Sequence, residues 1–241
     1  MGDWKQAIAL ARFELRHSKK ALITSGLMLI VYSFFIIEST SAYLENWFML
    51  FDLLFLITIG VAAMWAKPKT FRLEKSDDNS FKKSYFVMLY QLPIRKEVLI
   101  KNLFVIYFVY SIPFHALFLI SIYAFSGTMQ SFMTLPEYIA FFIIWMSFGI
   151  YWGVMYPIAD LGEVTKSSTF KLWLYIALFL AFVVGVFLLF NQYTGQGIVY
   201  WTMVVAKKWP LLSSILSIIA AYLGTTLALR RATKKIKQID Y

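Results

Sequence analysis

The sequence predicts an all-α membrane protein: six transmembrane helices, an N-terminal amphipathic connecting helix, and both termini on the cytoplasmic side. Three observations carry this. First, 60% of the 241 residues are hydrophobic, 19% are aromatic and only 15% are charged, whereas a soluble domain carries about 25% charge. Second, apolar runs of about twenty residues recur, the length that crosses a hydrocarbon core of about 30 Å. Third, the basic residues alternate between the two sides that those runs define. Residues 1 to 20 hold five Lys/Arg, 67 to 101 hold nine, 160 to 171 hold two and the tail holds five, which is 21 of the 23 in the chain. Only Lys207 and Lys208 fall on the other side, the asymmetry expected when basic loops stay in the cytoplasm. The same distribution explains the net charge of +10 without nucleic acid, because the cations line a membrane face and form no single soluble patch.

Residues 1 to 20 read as an amphipathic interfacial helix. Trp4, Ile8, Ala11 and Leu15 recur at helical spacing, while Lys5, Arg12, Arg16 and Lys19 lie on the other side. Such a helix puts one face into lipid and the other onto anionic head groups. No removable signal peptide is expected, since the first apolar run lacks a small-residue cleavage site.

The transmembrane domain is read over 21 to 229. Its spans fall at about Ala21 to Ile37, Trp47 to Ala66, Leu103 to Phe125, Tyr138 to Ile158, Leu172 to Phe190 and Leu211 to Leu229. Pro136 and Glu137 suit a helix start. Gly149 and Gly153 form a GxxxG pair, read as packing and no more. Between spans two and three, Glu74-Lys75-Ser76-Asp77-Asp78-Asn79 looks like a solvated loop. Asp160 to Lys171 reads as a short polar loop. Asn191 to Trp209 is apolar but broken by Gly195, Gly197, Lys207 and Lys208, which suits a re-entrant or interfacial helix. Val199, Tyr200, Trp201 and Val204 would form its buried side. A basic cytoplasmic tail follows over 230 to 241.

The segment from Tyr90 to Lys101 stands out. Arg95, Lys96, Glu97 and Lys101 would be costly in lipid, yet Leu92, Ile94, Val98 and Leu99 need a surface to bury against. Pro93 suits a helix's first turn, and Ile94 and Val98 can then share one face. This predicts a small amphipathic helix over 90 to 101 at the inner membrane surface, with one face free for a soluble partner or simply solvated.

Chemistry-bearing motifs are scarce. With no cysteine and only His17 and His115, neither a metal-binding HExxH nor a Cys/His cluster exists. There is no GxSxG elbow, and no GxxxxGK[ST] loop with which to bind and hydrolyse ATP. The expectation is no catalytic residue, no metal site and no cofactor in this chain. Polar residues in spans are functional candidates by default. Asp52 is expected at the outer interface or in a water-filled cleft. Pro113 could kink span three and open a cavity faced by Ser111 and His115, although a neutral His115 bonded to a neighbouring helix is preferred. With Tyr200 and Trp201, these are the candidate substrate-path residues. So few ionisable groups count against an ion-coupled carrier.

The architecture, together with Leu92-Pro93-Ile94-Arg95-Lys96-Glu97-Val98-Leu99-Ile100-Lys101, resembles the transmembrane (permease) subunits of ABC-2-type ATP-binding-cassette exporters. The segment is similar to that family's "LPxSRKExxxxK" inner-loop motif, with one residue fewer between Pro93-Ile94 and Arg95-Lys96-Glu97. Within the family, the small bacterial exporters of amphipathic cytolytic peptides, the phenol-soluble modulins, are most similar. The resemblance implies that this segment is a coupling helix, with Leu92, Pro93, Ile94, Arg95, Lys96, Glu97 and Lys101 docking on a cytosolic ABC ATPase subunit present in two copies. It implies a second six-span subunit, identical or different, with ATP and Mg bound by the partner ATPase. It also implies a multi-pass protein of the bacterial plasma membrane, contacting membrane lipids but not nucleic acid, that exports an amphipathic peptide or lipid-like substrate. The alternative is a membrane receptor, anchor or immunity-type protein that binds a cytosolic partner without transport.

Overall fold

The computed structural model describes residues 2–61, 89–159 and 169–236, and among them it is helical with no strand. In chain order the helices are α1 (Asp3–His17), α2 (Lys19–Glu45), α3 (Met49–Gly60), α4 (Lys96–Phe125), α5 (Gly127–Phe132), α6 (Leu135–Gly153), α7 (Met155–Ala159), α8 (Thr169–Thr194), α9 (Ile198–Lys208) and α10 (Pro210–Ile236). The mixed-charge stretch from Glu74 to Asn79, most of the loop expected from Asp160, and positions 237–241 of the tail lie outside the described residues.

Among the described residues, five helices are long and apolar enough to cross a membrane: α2, α4, α6 continued by α7 (Leu135–Ala159), α8 over Ala177–Thr194, and α10. The architecture is that of a multi-pass helical membrane protein. The expected second span is described only in part. α3 has 12 residues, about 18 Å of helix, against a core of about 30 Å, and residues 62–66 of that expected span are not among those described.

One end of the bundle is basic, carrying α1, the start of α4 and Arg230 to Lys235 of α10. The opposite end carries the α2–α3 corner, α5 and α9. The larger core lies toward this opposite end, where Phe51 and Phe55 of α3 meet Phe118 of α4, Phe141 and Trp145 of α6, and Met203 of α9. Phe55 meets Trp145 edge-on at 4.7 Å, a favoured aromatic geometry. α6 starts as expected: Pro136 lies in its first turn, and Thr134 and Glu137 form a reciprocal capping box.

α10 presents small buried residues, Ser213, Ala221, Ala228 and Ala232, and rests against α6, where Tyr151 fills the space above Gly224. Small side chains are what permit such close approach in lipid, where water drives no helix together. The glycines of α6 serve a different neighbour. A Cβ at Gly149 would lie 2.7 Å from the His115 ring, and one at Gly153 would lie 1.3 Å from the Tyr107 hydroxyl. Both notches are filled by rings from α4, and Tyr107 donates a 2.9 Å hydrogen bond to the Gly149 carbonyl.

One helix boundary is corrected. Residues 91–95 are a turn, not a helix; α4 begins at Lys96 and runs unbroken through Pro113 to Phe125. Pro93 therefore sits before the helix, and no separate coupling helix forms over 90 to 101. The reason is local: Pro93 disfavours helical geometry at Leu92, the residue before it, and Arg95, just ahead of α4, is extended. At the chain's other end, α10 stays helical through the basic run to Ile236, because Ala232 and Ile236 are buried.

Candidate functional site

The charged segment that the sequence singles out forms a protruding corner at the basic end. Leu89 is buried, and the chain then turns through Gln91, Leu92, Pro93 and Ile94 before α4 begins. Val98, Leu99 and Ile100 are fully buried; Leu99 and Ile100 pack with Leu103, Phe104, Val154 of the α6–α7 junction and Ala228, Ala232 and Ile236 of α10, while Val98 faces α1. Ile94 packs half-buried at the edge of this cluster. The corner is thus fixed to three long helices by apolar contact.

What it presents outward differs from the expectation. Gln91, Leu92, Pro93 and Arg95 are exposed, Leu92 by 51%, although its apolar side chain argues for burial. Lys96, Glu97 and Lys101 are half-buried. Lys96 lies 4.7 Å from the Tyr90 ring centroid and Lys101 lies 5.5 Å from that of Trp4, cation–π contacts worth about 0.5–1 kcal/mol at exposed sites.

α1 braces the corner. Asp3 binds both the Arg95 guanidinium and, at 2.9 Å, the Lys101 ammonium. The Arg95 side chain is 62% exposed, so that pair contributes at most about 0.2–1 kcal/mol; its effect is to orient. Ala11 packs on Ile106 and Tyr110, so α1 runs along the first half of α4. Ala7, Ala11 and Glu14 form its buried stripe, while Trp4 and Ile8 flank that stripe and stay exposed. The apolar face expected in lipid is therefore divided between α4 and the surroundings. Between α1 and the turn lies a cleft of about 550 Å³ lined by Gln6, Ala9, Leu10, Pro93, Ile94, Arg95 and Val98. Among the seven residues carried from the sequence, Arg95 and Lys101 meet on Asp3, whose importance sequence reading missed. Its signal was slight: it is the first acid in a basic segment.

The substrate-path candidates fall on three helices, α3, α4 and α9. Asp52 is fully buried at the opposite end. Its carboxylate accepts hydrogen bonds from Tyr43 Oη at 2.8 Å, Trp47 Nε1 at 2.6 Å and the Val199 N–H at 2.8 Å. The Tyr200 N–H donates to Tyr43 Oη at 3.1 Å. Val199 and Tyr200 lie in the first turn of α9, whose N–H groups have no partner within the helix. Asp52 thus caps α9 from another helix, and its charge suits a helix N-terminus. Gly197 makes the approach possible: a Cβ there would sit 2.0 Å from Asp52 Oδ2 and 2.4 Å from both Trp47 Nε1 and Tyr43 Oη.

Ser111 and His115 are also fully buried, but His115 fills the Gly149 notch rather than facing a cavity. Its ring packs against α6 and also lies within reach of the Ile59 backbone of α3. On α9 the buried side is Val199, Met203 and Ala206. Tyr200 is half-buried beside Phe132, and Trp201, expected inside, is 37% exposed. Of the five candidates, Asp52 and Tyr200 share Tyr43 as a hydrogen-bond partner, and Ser111 and His115 lie on α4.

Comparison of the chain with family models, with curated proteins and with solved structures returns no match.

Proposed function

We propose that the chain is the transmembrane permease subunit of an ATP-driven exporter, working with a separate cytosolic ATPase. The observation that carries this is the corner at Gln91–Arg95. It protrudes, offers Leu92, Pro93 and Arg95 to a partner, and is rigidly continuous with α4, the longest described helix at 30 residues. Apolar packing through Leu99, Ile100 and Phe104 ties it to α10 and the α6–α7 junction. A push on the corner would therefore move several spans together, as conversion of nucleotide-driven closure into transport requires. Loops seldom join a projecting apolar residue to so firm an anchor unless something binds there.

In this reading the basic end is cytoplasmic, α3 belongs to a sixth span, and two such subunits pair with two ATPase copies that hold ATP and Mg. The location is the bacterial plasma membrane, and the cargo is an amphipathic peptide or a lipid-like molecule. The resemblance of Leu92 to Lys101 to the inner-loop motif of ABC-2-type permeases supports the partner's identity.

The test is to place a photo-crosslinking amino acid at Leu92 in the intact cell and identify what it captures. A cytosolic nucleotide-binding subunit is expected, and the purified chain alone should hydrolyse no ATP above background. Capture of a protein without a nucleotide site would favour the receptor or anchor reading, and robust hydrolysis by the isolated chain would end the permease reading.

A further inference from the structure

A cleft of about 390 Å³ runs between α8 and the wall formed by α3, α6 and α9. On α8 its lining residues are Phe179, Phe182, Val183, Val186 and Phe187, spaced i, i+3, i+4, i+7 and i+8, a single helix face. Trp145, Phe148 and Trp152 of α6 stand opposite, with Ile198 and Thr202 of α9 at one end. Two of the three polar groups among these residues are turned to other partners: the Trp145 indole donates to Thr202 Oγ1 at 3.0 Å, and the Thr202 hydroxyl donates to the Val199 carbonyl at 2.7 Å. The walls present no polar surface.

We infer that this cleft binds one alkyl chain, the tail of a membrane lipid or of a single-chain amphiphile. Size decides the occupant. From Phe179 to Phe187 is about 12 Å of helix, and about 390 Å³ over that length leaves a bore of about 6 Å. An α-helix with side chains is about 10–12 Å across and does not fit, so a folded amphipathic peptide is excluded from it. A bare hydrocarbon chain fits, and the length is close to the roughly 15 Å hydrocarbon depth of one leaflet. Chemistry agrees. Water does not fill a cavity without polar partners, and an unfilled one forfeits dispersion contacts along its walls. At this depth in a bilayer the molecules at hand to restore those contacts are acyl chains. The inference is independent of whether the chain transports anything.

The experiment uses the full chain in nanodiscs with a diazirine-bearing fatty acid, or with a diacyl phosphatidylglycerol carrying the same diazirine on one chain, and maps adducts by mass spectrometry. Adducts should concentrate on Phe148, Phe182 and Val183 relative to Leu188 and Ile218, which are apolar and exposed outside the cleft. Labelling by both probes assigns the chain to bilayer lipid; labelling by the fatty acid alone assigns it to a single-chain amphiphile. Val183→Trp, checked for an unchanged elution profile and melting temperature, should abolish the Phe148 adduct and leave the Leu188 adduct in place. Persistence of the Phe148 adduct in the folded variant would overturn the inference. So would wild-type labelling no denser in the cleft than at Leu188 and Ile218, a comparison that needs no variant.

Discussion

Asp52→Ala should release α9 from the bundle. The substitution strips three donors of their acceptor: Tyr43 Oη, Trp47 Nε1 and the Val199 N–H, all within 2.8 Å of the carboxylate. The tyrosine hydroxyl can rotate to find another acceptor, but the indole and backbone N–H groups are fixed. Each buried donor left unpaired costs about 1–3 kcal/mol, so the local penalty is about 2–6 kcal/mol. A central value of about 4 kcal/mol corresponds to nearly a thousandfold rise in the opening equilibrium of α9, at about 1.4 kcal/mol per decade. The readout is the reaction of a thiol at Met203→Cys, fully buried beneath α9, in a chain with no other cysteine. Its labelling rate should rise by about that factor if opening equilibrates before reaction. Asp52→Asn should be milder, since the amide oxygen still accepts while its NH₂ confronts one donor, an unmade bond of about 1–3 kcal/mol. Gly197→Ala should mimic Asp52→Ala, because its Cβ would lie 2.0 Å from Oδ2. Unchanged Met203→Cys labelling in both Asp52→Ala and Gly197→Ala would refute the capping role.

Further outcomes follow from the same packing. Gly153→Ala must displace the Tyr107 ring and its bond to the Gly149 carbonyl, a loss of about 2–4 kcal/mol from overpacking plus one hydrogen bond. Tyr107→Val should recover most of it, as read by thermal aggregation in detergent; equal damage with and without Tyr107→Val would show that the two do not touch. Spin labels on α9 should report water at Trp201 and shielding at Met203, and the reverse pattern would mean the helix is rotated. Cysteines replacing Gln130 and Lys234 should differ in intact cells, the first reacting with an impermeant thiol reagent and the second not; labelling of Lys234→Cys from outside would invert the proposed orientation.

How far these features could be read beforehand differs by the kind of interaction involved. Spans α4, α6 and α10 were legible because composition alone dictates what crosses lipid, and the start of α6 was legible because Thr134, Pro136 and Glu137 are local capping chemistry. The turn at Gln91–Arg95 was misread as helix. Pro93 fits a first turn as well as a pre-helix bend, and the choice was made by the burial of Leu99 and Ile100 against α10, distant in sequence. Asp52 was singled out correctly as unusual, but its role depends on Val199, 147 residues away. No periodicity in α3 points to the first turn of α9. The Gly149–Gly153 pair was read rightly as packing, while the rings that fill it, Tyr107 and His115, could not be deduced from spacing. The exposed position of Leu92 ran against its hydrophobicity, and that conflict is itself why the corner is a docking candidate.

The central claim, that the Gln91–Arg95 corner transmits force from a partner ATPase, is tested most directly by reversing its charge. Arg95→Glu with Lys96→Glu should leave expression and membrane insertion intact, since Val98, Leu99 and Ile100 still anchor α4. Repulsion of Asp3 by the new acid is controlled by adding Asp3→Lys, which restores the pair with α1 but not a basic surface for the partner. If the corner docks, breaking a paired charge at that interface costs about 2–5 kcal/mol. The measurement is substrate-stimulated ATPase activity, with partner co-purification, for the complex in nanodiscs. The account predicts loss of both in the double variant and no recovery when Asp3→Lys is added. Wild-type stimulation and wild-type co-purification in the double variant would contradict it.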